Sequence, residues 1–256
     1  MSEPSEPTIE FSGATVSFGG TEVLRDLDLF VRPGETLVLI GRSGSGKSTA
    51  LRLVNALLHP AAGSVLVRGR ATTDWDPIAL RRGIGYMIQE VGLFPHFTVA
   101  QNAGLVPELL GWSEDRIDRR VGELLELVSL PPGTYASRYP NELSGGQRQR
   151  VGVARALAAD PDILLCDEPF GSLDPITRGE LQREFREIGR RSERTQLFVT
   201  HDLSEALYIG DRIALLHEGR LRFVGTPADL RSSRDALVRG FLEAASVPEG
   251  AAGEAG

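Results

Sequence analysis

The chain has 256 residues, enough for a sizeable core in one domain or two, and its 35 acidic residues outnumber 28 basic ones to give a net charge of −7. That balance speaks against a nucleic-acid partner, a lone cysteine (Cys166) excludes an internal disulfide, and no apolar run approaches the roughly 18 residues needed to cross a bilayer. Of the 28 basic residues 27 are arginine, so Lys47 is the only lysine in the protein.

Residues 1–8 are acidic and rich in Pro and Ser, with no basic start and no apolar core, and read as a disordered tail rather than a signal peptide. Thr8 to Phe18 and Glu22 to Val31 pattern as two strands joined by a turn at Gly19-Gly20. Phe18 is open to two readings, a stacking surface for a purine or a plain core phenylalanine. Pro33-Gly34 turns the chain into Thr36 to Ile40, a short apolar run that reads as a buried strand, and from Ala50 to Leu58 apolar residues recur at helical spacing.

Between that strand and that helix lies Gly41-Arg42-Ser43-Gly44-Ser45-Gly46-Lys47-Ser48-Thr49, a complete phosphate-binding loop in the setting its mechanism requires. Its glycines let backbone N–H groups approach phosphate oxygens, and the helix dipole adds a fixed positive field. Lys47 is expected to reach the β- and γ-phosphates of a nucleotide, and Ser48 to ligate Mg²⁺. A chain that otherwise uses arginine keeps a compact ammonium here, where a planar fork would be too bulky.

Ser64 to Val67 and Gly85 to Ile88 read as further short strands, the second ending on Gln89. From Glu90 to Ala159 the pattern turns helical, notably over Glu114 to Leu130 behind Ser113 as an N-cap, which suggests a helical subdomain inserted into an α/β core. Leu143-Ser144-Gly145-Gly146-Gln147 opens a helical run through Ala158; Ser144 caps it, and the glycines leave bare N–H groups as a second anion site. Ile163 to Cys166 is a continuous apolar strand, buried on both faces of a parallel sheet, that delivers Asp167 and Glu168 to its C-terminal edge. There Asp167 would hold Mg²⁺ and Glu168 would polarise a water for attack on the γ-phosphate. Thr195 to Val199 is another β-branched run, read as a strand of the same sheet, and it places His201 where a γ-phosphate could be touched.

In this order the motifs resemble the ATP-binding cassette family from about Ile9 to Leu242. The resemblance implies an α/β P-loop core with a mostly parallel sheet and an antiparallel β subdomain (residues 9–89 and 160–246), an inserted α-helical subdomain (residues 90–159), and a disordered tail at 247–256. It assigns Gln89 to the family's Q-loop, as a metal contact beside Ser48 and Asp167 and as a catalytic residue beside Lys47, Glu168 and His201, the last being its switch histidine. Ser172-Leu173-Asp174 matches the D-loop, with Asp174 among the nucleotide contacts, and Phe18 falls on the adenine-stacking position.

ATP contacts would come from Gly41, Ser43, Gly44, Ser45, Gly46, Lys47, Ser48 and Thr49 of one chain and from the signature Ser144, Gly145, Gly146 and Gln147 of a second, in a head-to-tail homodimer or paralogue heterodimer. The other implied partners are transmembrane permease subunits at the cytoplasmic face of the membrane and, indirectly, a solute-binding protein. The wording of Tyr86 to His96, Leu105 to Trp112 and Asp167 to Arg178 is similar to ATPases of osmoprotectant (betaine, choline or carnitine) uptake. Several of those continue into paired regulatory domains, whereas this sequence stops shortly after its last helical pattern, which leaves osmotic gating by this subunit an open question.

Other classes fit less well. A repair or chromosome cassette requires a long coiled-coil insertion, a translation-factor cassette requires two phosphate loops, and a GTPase requires an Asn-Lys-x-Asp motif for which no lysine is available. A non-catalytic scaffold would have no need of Lys47, Asp167, Glu168 and His201 together.

Overall fold

The computed structural model describes residues 6–89, 91–171, 173–192 and 194–246. Glu90, Ser172 of the expected D-loop, and the tail residues 1–5 and 247–256 lie outside them. In chain order the elements are β1 (Ile9–Phe18), β2 (Thr21–Val31), β3 (Thr36–Ile40), α1 (Lys47–Val54), β4 (Ala62–Val67), β5 (Arg70–Ala71), α2 (Pro77–Arg82) and β6 (Ile84–Met87). Then come α3 (Val99–Leu109), α4 (Glu114–Leu127), the short α5 (Pro132–Tyr135), a 3₁₀ turn at Pro140–Glu142, and α6 (Gly145–Leu157). The chain continues through β7 (Ile163–Asp167), α7 (Pro175–Ser192), β8 (Thr195–Val199), α8 (Leu203–Ile209), β9 (Arg212–His217), β10 (Arg220–Gly225), α9 (Pro227–Ser232) and α10 (Ala236–Ser246).

Six strands form one sheet in the order β10-β9-β3-β8-β7-β6, parallel except for β10, and β2-β1-β4-β5 form a separate antiparallel sheet. This is the expected α/β arrangement of a mostly parallel sheet beside an antiparallel one. Strands β3, β7 and β8 are buried at every position, including the polar Thr36, Asp167, Thr195 and Gln196 at or near their ends, as strands covered on both faces are. Successive residues then feed two different cores. Val38 and Ile40 of β3 face a core shared with α3, α4, α6, α7 and α8, whereas Leu37 and Leu39 face one shared with α1 and the antiparallel sheet. Among the described residues between β6 and β7 there are helices and no strand.

Parallel strands in register end together. Leu39 and Asp167 both pair with Val199 of β8, so the loop after β3, the acidic pair after β7 and His201 after β8 emerge side by side. Behind them Phe170, Phe185 and Phe198 form a buried cluster with ring centroids 5.7 to 5.9 Å apart.

Some boundaries differ from the sequence reading. The first helix starts at Lys47, inside the phosphate loop, and stops at Val54, because Asn55 caps it, its own Oδ1 accepts from Leu57 N, and Ala56 takes a left-handed conformation. The fourth stops at Leu127 rather than Leu130, since Ser129 is left-handed and Leu130 N returns to Leu125 O. Ser113 holds that helix's N-cap position, but its side chain makes no capping bond. Thr8, assigned to the tail, is tied down: its N–H donates to Val31 O, its carbonyl accepts from Arg68 N, and Thr195 Oγ1 donates to its hydroxyl.

Removing a ring from the aromatic cluster leaves a cavity that rigid strands cannot close. Phe185→Ala is expected to cost about 3–5 kcal/mol of unfolding free energy in denaturant titration; a loss under about 1 kcal/mol would mean the cluster is not packed as described.

Candidate functional site

The loop between β3 and α1 needs glycine for space as well as for conformation. A Cβ on Gly41 (φ 152) would run into the Leu216 carbonyl, and one on Gly46 (φ 101) would lie 2.6 Å from Leu24 Cδ2, so the loop backbone sits directly on β9 and β2. Ser45 Oγ is buried there without a hydrogen-bond partner. Lys47 is 5% exposed, and its Nζ donates to Gly41 O (2.8 Å) and Arg42 O (3.1 Å) of its own loop. Burial lowers its pKa, an effect the nearby Glu168 and Asp167 carboxylates partly oppose.

Ser48 Oγ donates to Asp167 Oδ1 at 2.8 Å. Asp167 is 4% exposed, and burial raises its pKa while the Ser48 hydrogen bond pulls the other way. Glu168 sits in the left-handed region (φ 45), an unfavourable place for a branched backbone with a Cβ, held by Glu168 N donating to Val199 O and Gly171 N donating to Glu168 O. His201 Nδ1 lies 3.0 Å from Glu168 Oε2. With an ionised carboxylate as acceptor, Nδ1 carries the proton, which leaves Nε2 as the ring's other edge. Gln89, just past β6, joins Ser43, Gly44, Lys47, Ser48, Thr49, Glu168 and His201 around a cleft of about 510 Å³, with Val23 of β2 as an apolar wall. Gly41, Ser45 and Asp167 are buried beside it.

The signature forms a different cleft. Ser144 Oγ accepts from Gln147 N and Gln147 Oε1 accepts from Ser144 N, a reciprocal cap on α6, while Gln147 Nε2 donates to Tyr135 Oη. Gly146 packs on Thr177, since a Cβ there would stand 2.8 Å from its Cγ2. Ser144, Gly145, Gly146, Gln147 and Asp174 border a space of about 490 Å³ that shares no residue with the first cleft. Asp174 Oδ1 accepts from Ile176 N and Thr177 N at the start of α7, and Thr177 holds its pKa below the ordinary value. Phe18 is half exposed at the end of β1 and borders neither cleft.

One chain therefore gathers the phosphate loop, Gln89, Asp167, Glu168 and His201 in one place, and holds Phe18 and the signature apart from them. Two residues near Asp167 were not read from the sequence. Arg52 of α1 hydrogen-bonds Tyr86 of β6; the Arg52 charge favours the Asp167 carboxylate, while burial and then Asp167 raise the pKa of Tyr86. They meet only through the β6–β7 pairing, which no local spacing reveals.

A strand, a glycine loop and a helix cradling a buried lysine, with an acidic strand end bonded to the loop's serine, define a P-loop nucleotide-binding protein. The chain belongs to the ABC transporter family, whose model matches residues 24–171. It is 49% identical over 225 residues to the choline transport ATP-binding protein OpuBA of Bacillus subtilis (strain 168), an alignment covering 88% of this chain and 59% of that protein. It is likewise 49% identical over 236 residues to the glycine betaine uptake system ATP-binding protein YehX of Escherichia coli (strain K12), covering 91% of this chain and 76% of that one. A solved dimer of the ATP-binding cassette MJ0796 in a post-hydrolysis state bound to ADP and Pi superposes with a TM-score of 0.77 at 32% identity, covering 86% of this chain and 98% of that one. The chain thus spans about three fifths of the length of OpuBA.

The two-carbonyl seat of Lys47 is shaped around a single ammonium. Lys47→Arg should therefore weaken ATP binding almost as much as Lys47→Ala, within about threefold by calorimetric titration, because a planar fork does not fit there. Wild-type affinity in the arginine variant would refute that account of the seat.

Proposed function

We propose that this chain is the ATP-hydrolysing subunit of a membrane importer and that it works as a dimer in which each ATP lies between the phosphate loop of one chain and the signature of the other. The observation that carries this reading is the separation of the two clefts: the signature Ser144, Gly145 and Gly146, at the N-terminal end of α6 where a helix favours anions, border a cleft that shares no residue with that of the phosphate loop of the same chain. A second copy related by a two-fold axis can bring them together.

The residues fit Mg²⁺ as well as nucleotide. Ser48 and Asp167 put two hard oxygen donors 2.8 Å apart beside the loop, and among the described residues no cluster of three or more His, Cys, Asp or Glu could cage a metal alone. That matches an ion that takes one or two protein oxygens and completes its shell with phosphates and water. Ser48, Asp167 and Gln89 would hold it, and when bound it neutralises charge on the phosphate oxygens. Lys47 exchanges its two loop carbonyls for phosphate oxygens. His201 orients Glu168 through Oε2, and the Glu168 carboxylate takes a proton from the attacking water. Phe18, which lies outside both clefts of its own chain, would stack on the base, and the signature residues would complete the nucleotide contacts from the partner chain.

On this reading transport itself belongs to separate membrane subunits; among the described residues no helix is long and apolar enough to cross a membrane. The names of the relatives, for choline transport and glycine betaine uptake, support a permease that carries quaternary-amine osmoprotectants, fed by a solute-binding protein.

Glu168→Gln keeps the size and hydrogen bonding of the side chain but cannot accept the proton. It should bind ATP normally, lose about 10²-fold or more in turnover, and accumulate as an ATP-dependent dimer on gel filtration. A strictly monomeric Glu168→Gln protein at saturating ATP and Mg²⁺ would count against the two-chain site. For the solute, purified permease and this chain in vesicles should take up labelled glycine betaine or choline only with internal or external ATP on this chain's side; uptake indifferent to ATP would sink the assignment.

A further inference from the structure

α6 carries the signature at one end, and its other half is fastened to the segment that holds Gln89. Gly85 of β6 has no room for a Cβ because the Ala156 carbonyl stands there. Val91 lies so close that a Cβ on Gly152 would meet its Cγ1 at 2.7 Å. Arg155 closes the joint: Nη2 donates to Val91 O (2.6 Å) and Nη1 to Gly92 O (2.8 Å), two successive carbonyls just past Gln89. Gly92 adopts a left-handed φ of 53, which turns its chain direction at that point.

Among the described residues Arg155 forms no ion pair, so a partly buried guanidinium has given up hydration for two neutral carbonyls. Burial alone already lowers its pKa. An apolar side chain would fill the same space without that cost; what only the guanidinium supplies is a planar fork fixed on two acceptors. Arg81 and Arg120 make the same kind of fork, but on carbonyls at the ends of α1 and α6. Arg155 alone among these three grips a loop leading out of the nucleotide cleft.

We infer that Arg155 is a positioning residue that joins the exit of the Gln89 turn to the signature helix, so that a displacement of Gln89 in one cleft moves Ser144, Gly145 and Gly146, which serve the other. The inference rests on the two-chain reading above and adds a route between its two sites. A rigid helix of 13 residues spans about 20 Å, enough to carry a shift at Arg155 to the signature turn with little loss.

The test is a double-mutant cycle on the full chain, with a structural control. Arg155→Ala should lower kcat about tenfold or more at nearly unchanged KM for ATP, and combining it with Gln89→Ala should add less than about twofold, because both break one route. Arg120→Ala, which removes an equivalent fork from a helix end, should multiply with Gln89→Ala instead. Independently, amide exchange in the Glu168→Gln background should show ATP and Mg²⁺ altering protection at residues 86–89 and 143–148 together, whereas adding Arg155→Ala should keep the first response and lose at least about half of the second.

Multiplicative losses for Arg155→Ala with Gln89→Ala, or exchange responses still linked without Arg155, would overturn the inference. Should Arg155→Ala fail to fold by circular dichroism, Gly152→Ala, which pushes Val91 off α6 with the charge retained, must show the same non-additivity, and simple multiplication there would overturn it equally. A wild-type chain that binds ATP but hydrolyses none would refute the proposed enzymatic function, while the exchange arm would still decide the role of Arg155.

Discussion

Ser48 Oγ donates to Asp167 Oδ1 across 2.8 Å although 119 positions separate them, and the cleft depends on that hydrogen bond being possible. Ser48 is set by the first turn of α1, the helix that follows β3, and Asp167 is the last residue of β7; β3 and β7 do not pair with each other, because β8 lies between them. Residues 195–199 between these strands fix the height of that hydrogen bond, since Leu39 and Asp167 are both level with Val199. The same strand accepts Glu168 N on Val199 O, donates Thr200 N to Leu39 O and ends one residue short of His201. Sheet register therefore sets the chemical geometry, and the uninterrupted burial of β3, β7 and β8 is what keeps that register from slipping.

The site itself runs against stability. Burial disfavours the charged forms of both Lys47 and Asp167, Ser45 Oγ has no partner, and Glu168 holds a left-handed backbone. On the proposed reading a polyanion with a divalent cation would relieve two of these: phosphates would replace the carbonyls on Lys47, and a cation would favour the Asp167 carboxylate. The offset comes from immediately behind. Phe170, two residues past Glu168, is locked between Phe185 and Phe198, so the strained turn is anchored in one of the best-packed parts of the core.

Much of this was legible because the informative residues are local. Gly41 to Thr49 states its own conformation, the short apolar or β-branched runs at residues 36–40, 163–166 and 195–199 announce buried strands, and Ser144 with Gln147 three positions on is a capping box written in sequence. What stayed hidden is what pairing creates. The Arg52–Tyr86 contact near Asp167 and Val23 as the wall of the cleft exist only once β6 lies on β7 and β2 lies over the loop. The β9–β10 hairpin did carry a signal, a Glu218-Gly219 turn with φ of 50 and 77, but glutamate is an uncommon first residue for that turn and masks it. The early stops of α1 and α4 were unreadable for a similar reason, because Ala56 and Ser129 take left-handed conformations that glycine or asparagine would have advertised.

The arginine bias of the sequence finds its reason in the same backbone. Arg81 bridges Asn55 O and Ala56 O, Arg120 bridges Leu157 O and Ala158 O, Arg155 bridges Val91 O and Gly92 O, and Arg150 holds Val128 O while paired with Glu180 and Glu184. Most of these carbonyls lie where a helix ends and its acceptors lack partners, and a planar fork satisfies adjacent ones at a fixed angle as an ammonium cannot. Such bonds are made once, on folding, and are not meant to release. Lys47 also rests on two successive carbonyls, Gly41 O and Arg42 O, but the function proposed above has it leave them when a phosphate arrives. A strongly hydrated, single-point cation on a flexible stem can make that exchange without carrying a rigid fork through the loop, so the one lysine in the chain stands where the bond must be reversible.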